Sequence, residues 1–380
     1  MMLKSLEIKN FRSLEDFQVE KLGRVNLIVG KNNCGKSSVL EALRIYAGNA
    51  NIDLLEKIAQ SHDEKYALDS NGQDRFDESL PFEDLYTGRK FPVGEKAISI
   101  GELNNTKAAL TICHVYLVEK EYSVTDDDGN TRKEIQQVSI TSLPLTSHNQ
   151  IVEEGWLVKK KDHTALIDFN LPPTSLRRLP QTGNAIPFSF IPTQLISMDD
   201  LAKEWDAIAL TDAEKIVKEA MQIILPDFEN LTFVNASSSN GQTRRLAKVK
   251  LKGLSHPIPI KSLGDGMQHI LQLVLKISPA KGGFLLIDEF ENGLHYSVQE
   301  KIWHLLFELT AKLDIQIFAT THSWDCIESF AKVAVAKQEV DGVLFRVGKS
   351  VRTSNKGRVI ATVFEEEQLY NITQSDVEVR

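Results

Sequence analysis

The run Gly30-Lys31-Asn32-Asn33-Cys34-Gly35-Lys36-Ser37-Ser38 satisfies the phosphate-binding pattern G-x-x-x-x-G-K-[ST] at every fixed position. The pattern constrains the fold because it works only between a strand and a helix. The strand delivers the loop, the glycines let successive N–H groups turn toward an anion, and the helix adds its positive end. Val25-Asn26-Leu27-Ile28-Val29 reads as the buried strand, and Val39, Leu40, Leu43 and Tyr46 recur at helical spacing after the loop. In that setting Lys36 is aimed at the β and γ oxygens of a nucleoside triphosphate, and Ser37 is a ligand for Mg²⁺. The candidate nucleotide contacts are Gly30, Asn32, Asn33, Cys34, Gly35, Lys36, Ser37 and Ser38. The competing reading, a Gly/Asn-rich turn without chemistry, needs all three elements to coincide by chance.

Phe284-Leu285-Leu286-Ile287-Asp288-Glu289 is an apolar run followed by two acids, so a buried strand delivers both carboxylates to its carboxyl end, where open α/β sheets place ligands. Asp288 then belongs to the Mg²⁺ shell, and Glu289 is the general base for an attacking water. A third apolar strand, Asp314 to Thr321, ends at His322-Ser323 and carries an imidazole to the same edge, within reach of a γ-phosphate. A histidine after a strand is usually structural; two acids and a phosphate loop nearby favour the functional reading. Ser262-Leu263-Gly264-Asp265-Gly266-Met267-Gln268 opens an apolar helix through Ile270, Leu271, Val274 and Leu275, whose N-terminus is a ready anion site.

The 380 residues are 42% hydrophobic, enough for a large α/β domain with insertions or for two domains. No apolar run of about 18 residues and no leader-like start are found, so the expectation is a cytoplasmic protein without membrane contact. Cys34, Cys113 and Cys326 are too scattered for a disulfide framework or a zinc site. A net charge of −8 excludes a globally basic nucleic-acid binder. One local patch remains, Arg244 to Lys252, where alternation sets Lys248, Lys250 and Lys252 on one strand face; a solvated or aggregation-blocking face is the preferred reading.

Residues 1–50 are expected to form the N-terminal half of the core, 51–190 a polar β-rich insertion, 191–240 a helical subdomain and 241–380 the C-terminal half. Within the insertion, Tyr122 to Val124 and Ile135 to Ile140 flank Asp126-Asp127-Asp128-Gly129-Asn130 as a hairpin. That acidic turn is not a calcium loop, because Val124 and Ile135 fall where ligands are required. Lys159-Lys160-Lys161 and Arg177-Arg178 read as solvated. Thr211 and Glu214 make a capping box, with Ile216, Ala220 and Ile223 as the apolar stripe behind it. No sustained heptad appears, which excludes a long coiled-coil arm. The chain is expected to end in strands around Val343 to Val347 and Arg358 to Phe364, then a short acidic helix.

In order along the chain, LEIKNFRSLED, GKNNCGKSS, SLGDGMQ, LLIDEFENGLH and ATTHS resemble the motifs of ABC-type ATPase heads of the SMC/RecF group. The likeness is greatest to the short prokaryotic branch, also classed as AAA-family ATPases, that supplies the ATPase part of OLD-family nucleases. It spans residues 1–50 and 255–330. The fold it implies is α/β, a P-loop NTPase of ABC-ATPase type with an antiparallel β portion, an inserted polar β-rich segment and a small helical subdomain. It further implies that Arg12 and Asn32 lie near the phosphates, that Glu289 is the catalytic carboxylate, and that Glu291 to His295 face a partner subunit. ATP and Mg²⁺ are the implied cofactors. Two ATP molecules would be sandwiched in a head-to-tail homodimer, with room for a higher oligomer, each against the partner's signature turn through Ser262, Gly264 and Gly266. Here Gly264 stands where the family has serine and Asp265 where it has its first glycine. Gln194 is the candidate for the family's glutamine between the two halves.

Two roles fit these features. In one, the ATPase is a regulatory or scaffold switch for a separate effector such as a nuclease, in prokaryotic anti-phage defence. The acidic balance, the lack of coiled-coil arms and a stretch after His322 too short for a nuclease domain favour it. In the other, it senses or clamps DNA in recombination or repair. A transporter subunit fits neither the N-terminal strand pattern nor the altered signature.

Overall fold

The computed structural model describes residues 2–64, 66–68, 74–76, 81–92, 94, 96–125, 131–141, 153–171, 175, 184–237, 243–337, 339–352, 354, 357–364, 368–369 and 371. The acidic turn at 126–130, Arg177-Arg178 and nearly all of the expected C-terminal helix lie outside them.

β1 (Leu6–Phe11) and β2 (Leu14–Val19) form an antiparallel hairpin that buries Leu6, Ile8, Phe11, Leu14, Phe17 and Val19. β3 (Val25–Val29) is buried throughout and runs into the phosphate loop, after which α1 (Lys36–Ala47) begins. α2 (Ile52–Ser61) follows, capped by the Asn51 side chain accepting from the N–H groups of Asp53 and Leu54. β4 (Tyr66–Leu68) and β5 (Asp74–Phe76) pair with each other.

β6 (Ile98–Gly101), β7 (Leu110–Thr125), β8 (Thr131–Ile140), β9 (Glu153–Lys160) and β10 (His163–Asp168) extend the first hairpin into a seven-stranded sheet in the order β10-β9-β7-β6-β1-β2, with β8 on β7. Much of the stretch expected as an insertion is therefore built into the core: β6 pairs with β1, and Ile98, Ile100, Leu110, Ile112, Trp156 and Val158 share one hydrophobic cluster with α1. β9 pairs with β7 over Leu110 to Leu117 and β8 pairs with it from Tyr116 to Thr125, so the expected hairpin continues beyond the sheet as a two-stranded ribbon.

β11 (Phe188–Ile191) leads to α3 (Met198–Ile208) and α4 (Asp212–Ile224). α4 buries Val217, Ala220, Met221 and Ile224 and leaves Ile223 42% exposed, so the stripe is rotated from the one expected through Ile216 and Ile223. The cap also differs: Thr211 Oγ1 accepts from Ala213 N–H, while Glu214 accepts from Leu210 N–H. β12 (Phe228–Ser237), β13 (Thr243–Leu251) and β14 (Ile258–Pro259) make a small antiparallel sheet that crosses the expected boundary at 240.

α5 (Asp265–Ile277), β15 (Phe284–Ile287), α6 (Tyr296–Leu313), β16 (Gln316–Thr321), α7 (Trp324–Ala336), β17 (Gly342–Lys349) and β18 (Val359–Phe364) complete the fold. The central sheet runs β11-β15-β16-β3-β17-β18, parallel except for β18. Strand alternation divides it between two cores. Leu27, Leu285, Ile287, Ile317 and Ala319 face one with α5, α6 and α7; Ile28, Phe284, Leu286 and Phe318 face the other with α1 and the antiparallel sheet. Among the described residues no helix is long and apolar enough to cross a membrane.

Candidate nucleotide site

The parallel strands bring the phosphate loop, the two acids and the histidine to one edge. β3 and β15 are both neighbours of β16, in register at Leu27, Ala319 and Ile287, so the residues that follow each strand emerge side by side. Gly30 begins the loop against β17. A Cβ there would stand 2.3 Å from Val347 O, so only glycine allows this approach. Gly35, with φ of 105°, caps α1.

Lys36 is buried and folds back over the loop, its Nζ donating to Gly30 O at 2.7 Å and Lys31 O at 3.0 Å. Those carbonyls hold the ammonium above the cradle without a counter-anion among the described residues. Asn32, Asn33 and Ser37 are exposed, Ser38 is half-buried and Cys34 is buried. Ser37 Oγ lies 3.4 and 3.5 Å from the two Asp288 oxygens, and Thr193 Oγ1 lies 3.5 Å from Asp288 Oδ2. This all-oxygen set of a carboxylate and two hydroxyls is the donor chemistry that Mg²⁺ takes alongside phosphates.

Thr320 organises the acids. Its Oγ1 donates to Asp288 Oδ1 at 2.7 Å and accepts from Glu289 N–H at 2.8 Å, while its carbonyl accepts from Phe290 N–H. Those bonds hold Glu289 at φ of 50°, a left-handed conformation unusual for a side-chain-bearing residue, at the turn after β15. Glu291 accepts from the His322 N–H at 2.9 Å and lies 3.1 Å from its Nδ1; Glu289 Oε1 is 3.9 Å from the same nitrogen. His322 and Glu289 therefore stand side by side and partly open to solvent, with Glu291 fixing the histidine backbone. Sequence reasoning missed Thr193 and Thr320, and expected Glu291 to face a partner subunit, whereas its carboxylate engages His322 of its own chain. A hydroxyl inside or just after an apolar strand gives no separate signal in composition or periodicity.

Arg44, on α1, is buried with its guanidinium over the Phe190 ring at 4.0 Å; burial lowers its pKa to about 10, opposed by the charges of Glu41 and Asp288. Arg12, expected near the phosphates, has a nearly buried side chain paired with Glu41 and Glu64, each at 2.7 Å. Burial alone would lower its pKa, but the Glu64 hydrogen bond and the Glu41 and Glu64 charges outweigh it and raise it. Arg12 thus ties the β1–β2 turn to α1 one helical turn beyond Ser37. Gln194 is exposed, and it is Thr193 that reaches Asp288.

The turn with Ser262, Gly264 and Gly266 is displayed at the start of α5: Ser262 and Gly264 are exposed, and Gly266 lies against Gly293 O. The His269 ring, one turn into α5, rests on Gly293, so the turn packs on the loop that follows the acids. His295 caps α6 through its own ring, with Ser297 Oγ 2.8 Å from Nδ1. Two expectations about lysines change. Lys160 is buried, donating to Tyr46 O and Asn49 Oδ1, because it closes the C-terminus of α1. Of the lysine face, Lys248 and Lys250 are half-buried, Lys250 bonds Leu254 O, and Lys252 lies beyond the strand end.

Two family models match the chain. "AAA ATPase domain" matches residues 1–172, which hold the phosphate loop, and "AAA domain, putative AbiEii toxin, Type IV TA system" matches 206–325, which hold the α5 turn, the acids and His322. An "ATP/GTP phosphatase" of Helicobacter pylori is 24% identical over 87% of this chain and 88% of its own length. The "DNA double-strand break repair Rad50 ATPase" of Archaeoglobus fulgidus is 29% identical over 37% of this chain but only 17% of its own. Among solved structures, the "SMC head domain from Thermotoga maritima" aligns with 96% of this chain and all of its own at 13% identity, with a TM-score of 0.43. With a phosphate loop, an acid pair and a histidine converging at one sheet edge and both matched models describing AAA domains, this chain resembles the SMC/RecF-like ATPases of the ABC type.

Proposed function

We propose that this chain hydrolyses ATP with Mg²⁺ and uses the cycle to close and open a homodimer that controls a separate effector protein such as a nuclease, as in prokaryotic anti-phage defence. The observation that carries the enzymatic part is the convergence of Lys36, Ser37, Asp288, Glu289 and His322 through Thr320 and Glu291. Lys36 would exchange its two carbonyl partners for β and γ oxygens. Ser37 and Asp288 would hold Mg²⁺, which when bound neutralises charge on those oxygens. Glu289 would take a proton from the attacking water, giving ADP and phosphate, and His322 would orient the γ-phosphate from the same side.

The dimer reading rests on the α5 turn, whose Ser262 and Gly264 are exposed and whose Gly266 packs on the loop after the acids, a display that suits a second subunit's nucleotide. The effector reading is supported by the β7–β8 ribbon, which extends beyond the sheet as a partner surface, and by the acidic balance. DNA sensing is the second reading. The Rad50 relative's printed role in double-strand break repair favours it, while the engagement of Arg245 by Asp206 and of Lys250 by Leu254 O weakens the candidate basic face.

ATP turnover measured with and without duplex DNA across a salt series separates them. DNA-indifferent turnover supports the effector switch. Stimulation that fades with salt overturns it in favour of DNA sensing.

A further inference from the structure

The two carboxylates beside His322 do not share its ring equally. Glu291 Oε1 stands 3.1 Å from Nδ1, within hydrogen-bond reach, while Glu289 Oε1 stands 3.9 Å from the same nitrogen, beyond it. The same Glu291 oxygen accepts the His322 backbone N–H at 2.9 Å. Strand register makes the pair: Ile287 and Ala319 are partners at the ends of β15 and β16, so the turns that carry Glu291 and His322 leave adjacent strands together. An ionised carboxylate has no hydrogen to give, so the ring nitrogen it meets is the donor. Hydrogen is thereby placed on Nδ1, and Nε2, across the ring, is left for another partner.

Burial separates the two roles. The Glu291 side chain is 12% exposed against 48% for His322. Its charge is felt by the fully buried Cys326 thiol on α7, whose pKa is raised first by burial and then by Glu291. Glu291 is therefore set in the protein wall, and the imidazole stands outside it. Glu289 is the acid that takes a proton from water, and an Nδ1–H bonded to it would occupy lone pairs that the water needs. Facing a γ-phosphate oxygen, Nε2 bonds only by donating, so the ring then carries hydrogen on both nitrogens between two anions. Glu291 supplies the second anion, as the buried acid behind a catalytic histidine does in hydrolases of other folds.

We infer that Glu291 is a positioning residue for hydrolysis: it holds the His322 ring by Nδ1–H, turns Nε2 toward the γ-phosphate and keeps the imidazole off Glu289. The inference rests on the ATPase reading of the site and deepens it.

Selective ¹⁵N labelling of histidine in the full chain reads the tautomer without nucleotide, with His322 identified as the signal lost in His322→Ala. In alkaline buffer, where an ordinary imidazole is neutral, Nδ1 of His322 is expected to carry the hydrogen and Nε2 the lone pair. Hydrogen on Nε2 there overturns the inference. A double-mutant cycle on turnover separates positioning from structural support. Glu291→Gln keeps the shape and the oxygen that accepts from the His322 backbone but removes the charge. It is expected to lower kcat about 10- to 100-fold with ATP affinity within about threefold of wild type. In a His322→Ala background the same substitution costs nothing further, because Glu291 acts through that ring. Losses that multiply assign Glu291 to structure and overturn the inference, as does a wild-type kcat in Glu291→Gln or a fall in ATP affinity as large as the fall in kcat. A wild-type chain that neither binds nor hydrolyses ATP overturns the ATPase reading itself, while the tautomer still reports on the His322–Glu291 pair.

Discussion

Ser37 Oγ and the Asp288 carboxylate stand 3.4 Å apart across 251 positions of sequence. The strand pairing β3-β16-β15 closes that gap, and it sets Lys36 one residue away on the same loop. Among the described residues Lys36 has only backbone carbonyls as partners, so its charge is uncommitted there. Lys36→Ala removes the charge-assisted contacts to the β and γ oxygens, and ATP affinity is expected to fall by about 10- to 100-fold or more. Isothermal titration with Mg-ATP checks it; wild-type affinity in the variant removes Lys36 from the site.

Thr320 is fully buried and bridges the two acids. Thr320→Val keeps the shape, removes the hydroxyl and leaves Glu289 N–H without its acceptor. The expected cost is about 1–3 kcal/mol of stability, read from urea midpoints. Turnover should fall about 10- to 100-fold with ATP affinity nearly unchanged, because the residue positions carboxylates and does not touch phosphates.

The elements that carry this site were legible because each is local: an apolar strand running into glycines, another running into two acids, a third into histidine. What was not legible is non-local or chemically silent. Thr320 hides inside an apolar strand, and nothing near Ile98 or Leu110 indicates that the strand of the first pairs back onto β1 and the second joins the same sheet through it. Lys160 reads as one of three surface lysines, and only the approach of β9 to the end of α1 reveals its burial. On α4, the choice between Ile223 and Met221 as the inward residue depends on where α5 and β12 lie, which the helical period alone does not fix.

Gly293, at φ of 68°, lets the His269 ring lie where a Cβ would be 2.1 Å from Cδ2. Gly293→Ala must displace that ring and adds left-handed strain, together about 1–3 kcal/mol by thermal or urea unfolding. In a dimer that shares nucleotide between subunits, displacing the α5 turn lowers turnover while leaving ATP binding to the phosphate loop intact. Full turnover in a folded variant would separate the turn from the reaction.

Lys160 is held among Tyr46 O, Asn49 and the Tyr46 ring, and burial pushes its pKa down to about 8 from an ordinary 10.5, helped by Lys161. Between those two values the unfolded chain holds a proton that the folded chain has released. Stability from this group therefore rises as pH climbs through that window and is flat below it. Lys160→Met should lose a rise on the order of 2 kcal/mol between pH 7.5 and 10.5, seen as the difference between wild-type and variant urea midpoints. Parallel profiles would contradict the buried-lysine assignment.

The most direct measurement is ATP turnover and ATP binding by Glu289→Gln beside the wild type, both with Mg²⁺. The amide keeps the shape of Glu289 and its backbone bond to Thr320 but cannot take a proton from water. The account predicts turnover lower by about 10²- to 10⁴-fold, ATP affinity retained, and an ATP-dependent dimer that persists in size-exclusion chromatography. A variant that hydrolyses ATP at the wild-type rate would contradict it.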